Sequence, residues 1–314
     1  MAAVASVPVR AQARPARIAF LGGGAAETSA SLLEAFRQGL QEVGLVEGRD
    51  CALDVRWAED RYERFPALAG ELAQAHPDVM IVTTIAAARA AQRLDPPVPL
   101  VMTGLIDPVG AGLVESLSRP GGYTTGLANL AEEFSPKLLE FIHETLPNAR
   151  AIAGLYNSAN PESVKLLENA RAQAPSISAI IEPAPFRAEQ GLAAGFAELV
   201  LKRPDALLVL SDIALLDMRA RIGQLALSSR LAVFSAGLTE LGEAGALVAY
   251  GPPRRPIYQR AAWYVRRILD GAKPADLPIE QPSRIELVVN LKTAKALDLA
   301  VPQSLLARAT DVIE

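Results

Sequence analysis

The chain has 314 residues, of which 50% are apolar and 21% charged, with a formal net charge of −4 and a pI near 5.5. This acidic balance argues against a nucleic-acid partner, because neutralising phosphates requires clustered Lys and Arg. The sequence has no run of the roughly 18 apolar residues that a membrane helix needs, and its length allows two hydrophobic cores.

The amino terminus differs from the rest of the chain. Residues 1–13 are small and apolar without periodicity, and Ala11-Gln12-Ala13 has the A-x-A form of a signal-peptidase site. We therefore expect residues 1–13 to be the remnant of a signal peptide or a disordered end. Cys51 is the single cysteine and stands apart from that site, so the sequence indicates neither an internal disulfide nor a lipid anchor.

Strands and helices alternate in a first βα array. A predicted strand over 18–21 runs into three glycines at 22–24, and a helical pattern follows over 31–43. The array continues with predicted strands over 52–57, 79–82 and 100–103, and with predicted helices over 62–75 and 86–94.

A second array repeats this scheme. Its predicted strands are 151–156, 206–210, 231–234 and 247–250, and its predicted helices are 132–146, 161–174, 189–201 and 214–225. Strands this short and apolar, alternating with helices, are covered on both faces and are therefore parallel. The fold class is α/β, with two similar lobes, each a parallel sheet flanked by helices. Ligands of such sheets bind beyond the carboxyl ends of the strands.

The residues that catalysis or metal binding would need are scarce. The chain has two histidines, His76 and His143, and no G-x-S-x-G, H-E-x-x-H or paired C-x-x-C motif. We therefore expect no catalytic residues, no metal and no cofactor.

The glycine run at 22–24 does not complete a dinucleotide fingerprint. Glu27 stands where the third glycine of G-x-G-x-x-G would be, and its charge would oppose a pyrophosphate. No phosphate-binding P-loop is present either. Two interpretations of the glycines stay open, a tight turn after the strand or backbone N–H groups that contact a ligand.

Polar residues at strand ends of the first array are candidate ligand contacts. They are Gly23, Gly24, Glu27, Thr83, Thr84, Thr103 and Asp107. The Thr83 and Thr84 hydroxyls, beside the free N–H groups of a helix start, suit a carboxylate, although simple N-capping explains them equally well. For Asp107, capping of a helix that begins at Pro108 is the favoured interpretation.

The second array offers a matching set of candidates. They are Asn157, Asn160, Ser211, Asp212, Ser235 and Tyr250, with Asn129 at the first passage between the arrays. Asp212 is the carboxylate at a strand end, so it is the candidate partner of a ligand ammonium group. Capping of the predicted helix 214–225 is the alternative role.

Five segments resemble a known family. They read R-Q-G-L-Q-E-V-G-L-V-E-G-R at 37–49, D-P-V-G-A-G-L-V-E-S-L-S-R-P-G-G at 107–122, T-G-L-A-N-L at 125–130, Y-N-S-A-N-P-E-S at 156–163 and V-N-L-K-T-A-K-A-L at 289–297. The chain from residue 17 onward is similar to ABC-transporter substrate-binding proteins, in the branch with the type I periplasmic-binding-protein fold that includes tryptophan and tyrosine uptake proteins.

The resemblance implies two lobes that are joined by three crossovers and close on a small solute. Crossovers at 125–128, 251–253 and 282–285 suit it, with a first lobe of 14–127 plus 253–284 and a second of 128–252 plus 285–314. It further implies a periplasmic monomer that delivers its solute to the permease subunits of an ABC importer. The expected ligand is a small carboxylate or zwitterion, such as an amino acid or an aromatic acid.

Two other functions stay open at this point. One is an enzyme with a doubly wound α/β fold that acts on a small carboxylate, which the missing cofactor motif and the scarce general bases disfavour. The other is a ligand-sensing module, as found in transcription regulators of the same fold. Those regulators carry a helix-turn-helix before the first strand, and residues 1–17 show no such pattern.

Overall fold

The structure, a computed structural model, describes residues 14–129, 131–186 and 191–314, apart from the side chain of residue 132. Its strands form two separate sheets, one in each lobe. The strands of the first sheet are β1 (Ala16–Gly22), β2 (Cys51–Trp57), β3 (Val79–Val82), β4 (Leu100–Ile106) and β5 (Thr124–Asn129). The strands of the second sheet are β6 (Ala151–Asn157), β7 (Ile180–Phe186), β8 (Ala206–Val209), β9 (Val233–Ala236), β10 (Val248–Gly251), β11 (Glu286–Asn290) and β12 (Asp311–Ile313).

Helices cover the faces of both sheets. They are α1 (Ala30–Glu42), α2 (Phe65–Gln74), α3 (Ile85–Ala91), α4 (Ala131–Thr145), α5 (Pro161–Gln173), α6 (Leu192–Leu201), α7 (Ile213–Asp217), α8 (Arg219–Ser228), α9 (Arg254–Leu269), α10 (Leu291–Leu297) and α11 (Gln303–Leu306). The apolar face of α1 carries the buried Leu33, Phe36 and Leu40, and α1 packs against α9. The lobe of the first sheet therefore includes a segment from the carboxyl-terminal part of the chain.

The first sheet has the strand order β2-β1-β3-β4-β5, and each neighbouring pair is parallel. Its third strand, β3, reads Val-Met-Ile-Val and is buried along its whole length. An apolar strand of this kind is stable where helices cover both faces of the sheet. The two lobes with sheets flanked by helices are as the sequence predicts.

The second sheet has the order β12-β11-β10-β9-β8-β6-β7 and is mixed. The pairs from β7 to β10 are parallel, but β11 runs antiparallel to β10. Neither β11 nor the short β12 beside it is predicted from the sequence. The chain enters β11 directly from the first lobe, without the helical crossover that would make it parallel to β10.

Three passages join the lobes. The first passage comes after β5. Residues 125–128, which the sequence analysis assigns to a crossover, are instead strand residues of the first sheet. The second lies at residues 252–253, between β10 and α9. The third lies between Glu280, which pairs with Leu127, and the start of β11.

Two predicted helices differ in the structure. The pattern at 214–225 is interrupted at Met218, which separates α7 from α8. Residues 108–112 form a hydrogen-bonded turn in place of a helix, because Gly112 has a φ of +69° and the turn does not propagate. The predicted signal-peptide remnant at 1–13 and the start of the predicted helix 189–201 lie outside the described residues.

Candidate functional site

The carboxyl ends of the strands of both sheets face each other across a cleft, and the two lobes touch there. The Ala25 N–H of the first lobe donates to Asp217 Oδ2 of the second at 2.8 Å. A Cβ on Gly23 would lie 3.2 Å from Ile213 Cγ2, which is also across the cleft. The glycines after β1 thus allow the lobes to approach closely, and the structure is a closed form.

A cavity of about 50 Å³ lies between the lobes. Its lining includes six residues selected from the sequence, Thr83, Thr84, Asn129, Asn160, Ser211 and Asp212. Binding pockets for organic ligands usually have volumes of roughly 300 Å³ or more. A ligand of several heavy atoms therefore requires a wider cleft than the one in this closed form.

Asp212 is the most deeply buried carboxylate of the cavity, with 4% of its surface exposed. Its Oδ1 accepts from the Ala214 N–H at 2.9 Å and from Asn157 Nδ2 at 3.1 Å, and its Oδ2 accepts from Asn160 Nδ2 at 2.7 Å. A carboxylate has about four acceptor positions, so one remains for a further donor. Asp212 therefore caps α7 and also presents a free acceptor position at the cavity.

Asn157 and Asn160 hold Asp212 in place from the loop after β6. Asn160 Oδ1 caps α5 by accepting from the Glu162 N–H at 3.1 Å, and Asn157 Oδ1 accepts from the Ala159 N–H at 3.0 Å. Both amides are thus fixed by their oxygens and donate with their nitrogens. Asn160 also lines the cavity, whereas Asn157 is not among its lining residues.

The two threonines after β3 contribute to the fold and line the cavity as well. Thr83 Oγ1 accepts from the Gly23 N–H at 2.9 Å, which ties the loops after β1 and β3 together. Thr84 Oγ1 caps α3 by accepting from the Ala87 N–H at 3.1 Å. Each hydroxyl still has its own proton to donate.

Five selected residues have contacts away from the cavity. Glu27 is exposed to solvent, and Asp107 Oδ1 accepts from the Gly110 N–H at 2.8 Å within the turn that follows it. Thr103 is 1% exposed and donates to the Val82 carbonyl, and Ser235 donates to the Leu238 carbonyl. Tyr250 packs against the phenyl rings of the second-lobe core.

Five charged or polar residues that lie at the cleft were not predicted from the sequence. They are Asp60, Tyr62, Glu162, Asp217 and Arg254. The strand-end rule, applied to β2, would have found Asp60 and Tyr62. Asp217 was not visible, because its position depends on α7 ending after five residues.

The cleft has an acidic electrostatic character. Burial first, and then the nearby charges of Asp217 and Asp212, together raise the pKa of Asp60 to about 7. Burial also raises the pKa of Asp212 and of Asp217, while hydrogen bonds and the positive charge of Arg254 oppose this effect. The pKa of the Tyr62 phenol lies well above its ordinary value, because the ring is buried beside these carboxylates.

Arg254 is the cationic side chain among the residues that line the cavity. It is the first residue of α9 and follows the second passage between the lobes. Within the described part of the chain its guanidinium forms no salt bridge shorter than 4.0 Å. Its donors are therefore available to an anionic group in the cleft.

A second cavity, of about 180 Å³, lies in the second lobe between the edge strand β7 and α6. Phe186, Phe196 and Lys202 are among its lining residues. It is lined by one lobe alone, so closure of the lobes does not complete it. The cleft between the lobes is therefore the candidate site.

Comparison with known proteins identifies the family of the chain. A sequence profile described as "ABC transporter substrate binding protein" matches residues 26–313. The chain belongs to this family of ABC transporter substrate-binding proteins, which makes it a solute-binding component of such a transporter. None of the helices in the described residues has the length and hydropathy needed to cross a bilayer.

Three relatives show how far the similarity extends. A "Tyrosine-binding protein" from Clostridioides difficile (strain R20291) is 23% identical over 264 residues, covering 84% of this chain and 75% of the relative. A conserved domain protein from Vibrio cholerae is 26% identical with a TM-score of 0.85, and an ABC domain from Streptococcus pneumonia in complex with L-Trp is 24% identical with a TM-score of 0.83. Each structural match covers 95% of this chain and 100% of the other. The fold is that of the type I periplasmic-binding proteins.

Proposed function

We propose that the protein is the extracytoplasmic, periplasmic binding component of an ABC importer and that it binds an amino acid as a zwitterion in the cleft. The observation that carries this proposal is the pair of opposite charges on one cavity, Asp212 from the second lobe and Arg254 from the start of α9. The free acceptor position of Asp212 suits an α-ammonium group. The guanidinium of Arg254, together with the Thr83 and Thr84 hydroxyls, suits an α-carboxylate.

The relatives support the same ligand class. One is named for tyrosine and another has been crystallised with L-Trp. The hydroxyls and amides of this cleft, together with the Arg254 guanidinium, match the polar groups common to all amino acids, whatever their side chain. The aromatic ring of Tyr62 and the apolar Ile85 and Ile213 are available to the side chain.

The proposed mechanism needs no chemical step. An open form captures the amino acid on one lobe, and closure brings the hydrogen-bonding groups of the other lobe onto it. Because the ligand binds the closed form more tightly, it shifts the population toward that form. The closed shape is the one that the permease subunits recognise.

A thermal-shift screen of refolded protein against the amino acids, aromatic acids, sugars and nucleotides tests this function. A ligand at a hundred times its Kd adds about 2.7 kcal/mol of stability, which raises Tm by several degrees. We expect amino acids to be the class that raises Tm. If none of them does, the proposed ligand class is wrong.

Two variants test the pair of charges. Asp212→Asn keeps the size of the side chain and its capping acceptor, but loses the charge that pairs with an ammonium group. We expect amino-acid binding to weaken at least tenfold, since a charged hydrogen bond contributes roughly 1.5–3 kcal/mol. Arg254→Gln should weaken binding of an amino acid more than binding of the matching amine without a carboxylate, for example tyrosine more than tyramine.

The control for both variants is Glu34→Gln, which neutralises an exposed carboxylate on α1. It should bind as the wild type does, and all three variants should show the same circular dichroism spectrum. Unchanged amino-acid affinity in a folded Asp212→Asn variant would show that Asp212 does not bind the ligand.

A further inference from the structure

A second group of buried polar atoms lies beside the cavity. Four of them, Asp60 Oδ1, Tyr62 Oη, Asp217 Oδ1 and Ser29 Oγ, have no hydrogen-bond partner among the described residues. Ser29 is 3% exposed and Asp217 is 9% exposed, so neither side chain is satisfied by bulk solvent. Buried polar groups without partners are rare and costly, and a water molecule or a ligand group from outside the chain would satisfy them.

Three of these residues, Ser29, Asp60 and Asp217, lie against the loop after β1. The Cβ that Gly24 lacks would lie 2.8 Å from Ser29 Oγ and in contact with Asp217 Oδ2, so both side chains pack against Gly24. The Asp60 N–H donates to the Gly23 carbonyl at 2.9 Å, which places Asp60 against the same loop. Because Asp60 belongs to the first lobe and Asp217 to the second, the two carboxylates come together only on closure.

The charges in this region are unbalanced. Asp60, Asp212 and Asp217 lie at the cleft, where Arg254 lines the cavity and the positive charge of Arg219 acts on Asp217. Glu162 has its own salt-bridge partner, Lys165, at 3.9 Å. The amino group and carboxylate of a neutral amino acid cancel each other and leave this surplus unchanged. A ligand with one additional positive charge reduces the surplus, because a buried carboxylate without a counter-charge is unfavourable.

The hydrogen-bond acceptors of this region suit an organic cation. The available atoms are carboxylate and hydroxyl oxygens, which accept hydrogen bonds from the N–H groups of ammonium or guanidinium. No group of three or more His, Cys, Asp or Glu side chains in the described ranges is arranged to hold a metal ion.

We propose that the amino acid bound in the cleft is a basic one, with its side-chain ammonium or guanidinium between Asp60 and Asp217. This inference rests on the proposed function, because it assigns the α-groups to Asp212 and Arg254. The two aspartates of the second lobe stand at the two ends of α7, Asp212 as its N-cap and Asp217 as its last residue. At 1.5 Å per residue they are separated along its axis by roughly 7 Å, a distance that the four-carbon stem of a lysine spans.

The first experiment measures Kd by isothermal titration for lysine, arginine, norleucine and tyrosine. Norleucine has the stem of lysine without the terminal charge. We expect lysine or arginine to bind at least tenfold more tightly than norleucine. If norleucine or tyrosine binds as tightly as both basic amino acids, the inference is overturned while the amino-acid function stands. If none of the four binds and the thermal-shift screen finds no other amino acid, both proposals fail.

The second experiment locates the cation site. Asp60→Asn and Asp217→Asn each remove one charge, and in the second variant the amide oxygen of the new side chain can still accept from the Ala25 N–H. We expect the ratio of the Kd values for norleucine and lysine to fall about tenfold in each variant, with norleucine affinity retained. The control Glu34→Gln should keep the wild-type ratio. A preference for lysine that survives in both aspartate variants would overturn the assignment to Asp60 and Asp217. Asp217→Ser serves as a second variant if Asp217→Asn does not fold.

Discussion

The carboxylate of Asp212 shows how one side chain contributes both to the fold and to the proposed site. Three of its acceptor positions bind donors of its own lobe, and these contacts are complete without any ligand. They fix the orientation of the remaining acceptor position before an ammonium group arrives. Binding therefore needs little ordering of this side chain, which favours affinity.

The protonation of Asp60 makes stability depend on pH. Its pKa is about 7 in the closed form because of burial and the charges of Asp217 and Asp212, whereas an aspartate in the unfolded chain has a pKa near 3.9. Between these two values the folded protein binds more protons than the unfolded chain. The free energy of unfolding therefore falls as the pH rises from about 4 to about 7.

We expect this effect to appear in ligand-free unfolding curves measured between pH 5 and pH 8. The slope for one proton is at most about 1.4 kcal/mol per pH unit. Asp60→Asn removes the group and should flatten the curve, although Asp212 and Asp217, whose pKa values are also raised by burial, contribute a remaining slope of the same sign. A wild-type protein whose stability rises steadily across this range would contradict the prediction.

At the scale of the elements, apolar runs were enough to predict most of the two parallel arrays. Strands such as β3 and β8 are short and wholly apolar, and helices such as α1 show one apolar face. The antiparallel β11 was missed because its direction depends on where the chain returns from the other lobe. The residues of β11 themselves do not show this direction. The break at Met218 has the same kind of cause, since α7 ends where it meets the first lobe.

Predictions of site residues succeeded or failed for a related reason. Residues directly after strands, such as Thr84 and Asp212, line the cavity because strand ends meet at one edge of a sheet. The sequence does not show which of these polar groups are already bonded within their own loop, as Asp107 and Ser235 are. It also does not show that closure brings Asp217 against the loop after β1.

The contact between α1 and α9 depends on Gly39. A Cβ at this position would collide with the backbone of Gln259 in α9, with 2.8 Å to its Cα. Backbone cannot move aside as a side chain does, so Gly39→Ala should separate the helices and destabilise the first lobe by about 1–3 kcal/mol. Chemical denaturation followed by circular dichroism measures this change.

The matched control is Gly70→Ala, a helical glycine of α2 in the same lobe with no atom within 4 Å of the added Cβ. Alanine has the higher helix propensity, so this variant should be equally stable or up to about 1 kcal/mol more stable than the wild type. If both variants have the same stability, the approach of α1 to α9 at Gly39 is not as close as the structure indicates.

At the scale of the whole molecule, the glycines after β1 set how closely the lobes approach. Gly24 has an ordinary φ, so an alanine there does not strain the backbone, but its Cβ would meet the Asp217 carboxylate and lie 2.8 Å from Ser29 Oγ. The Asp217 side chain is held by its hydrogen bond from the Ala25 N–H and cannot retreat without losing it. Gly24→Ala should therefore disfavour the closed form and leave each lobe folded.

The consequence of Gly24→Ala for binding follows from population arithmetic. The apparent Kd rises in proportion as the fraction of closed protein falls, so a tenfold loss of the closed form weakens every ligand about tenfold, whatever its side chain. Small-angle scattering should show a larger radius of gyration for the variant than for the wild type under the same conditions, whereas Gly70→Ala should match the wild type in both measurements. A Gly24→Ala protein with wild-type scattering and wild-type Kd would show that closure does not require this close approach. A loss confined to basic amino acids would instead place the effect at the Asp217 carboxylate and not at closure.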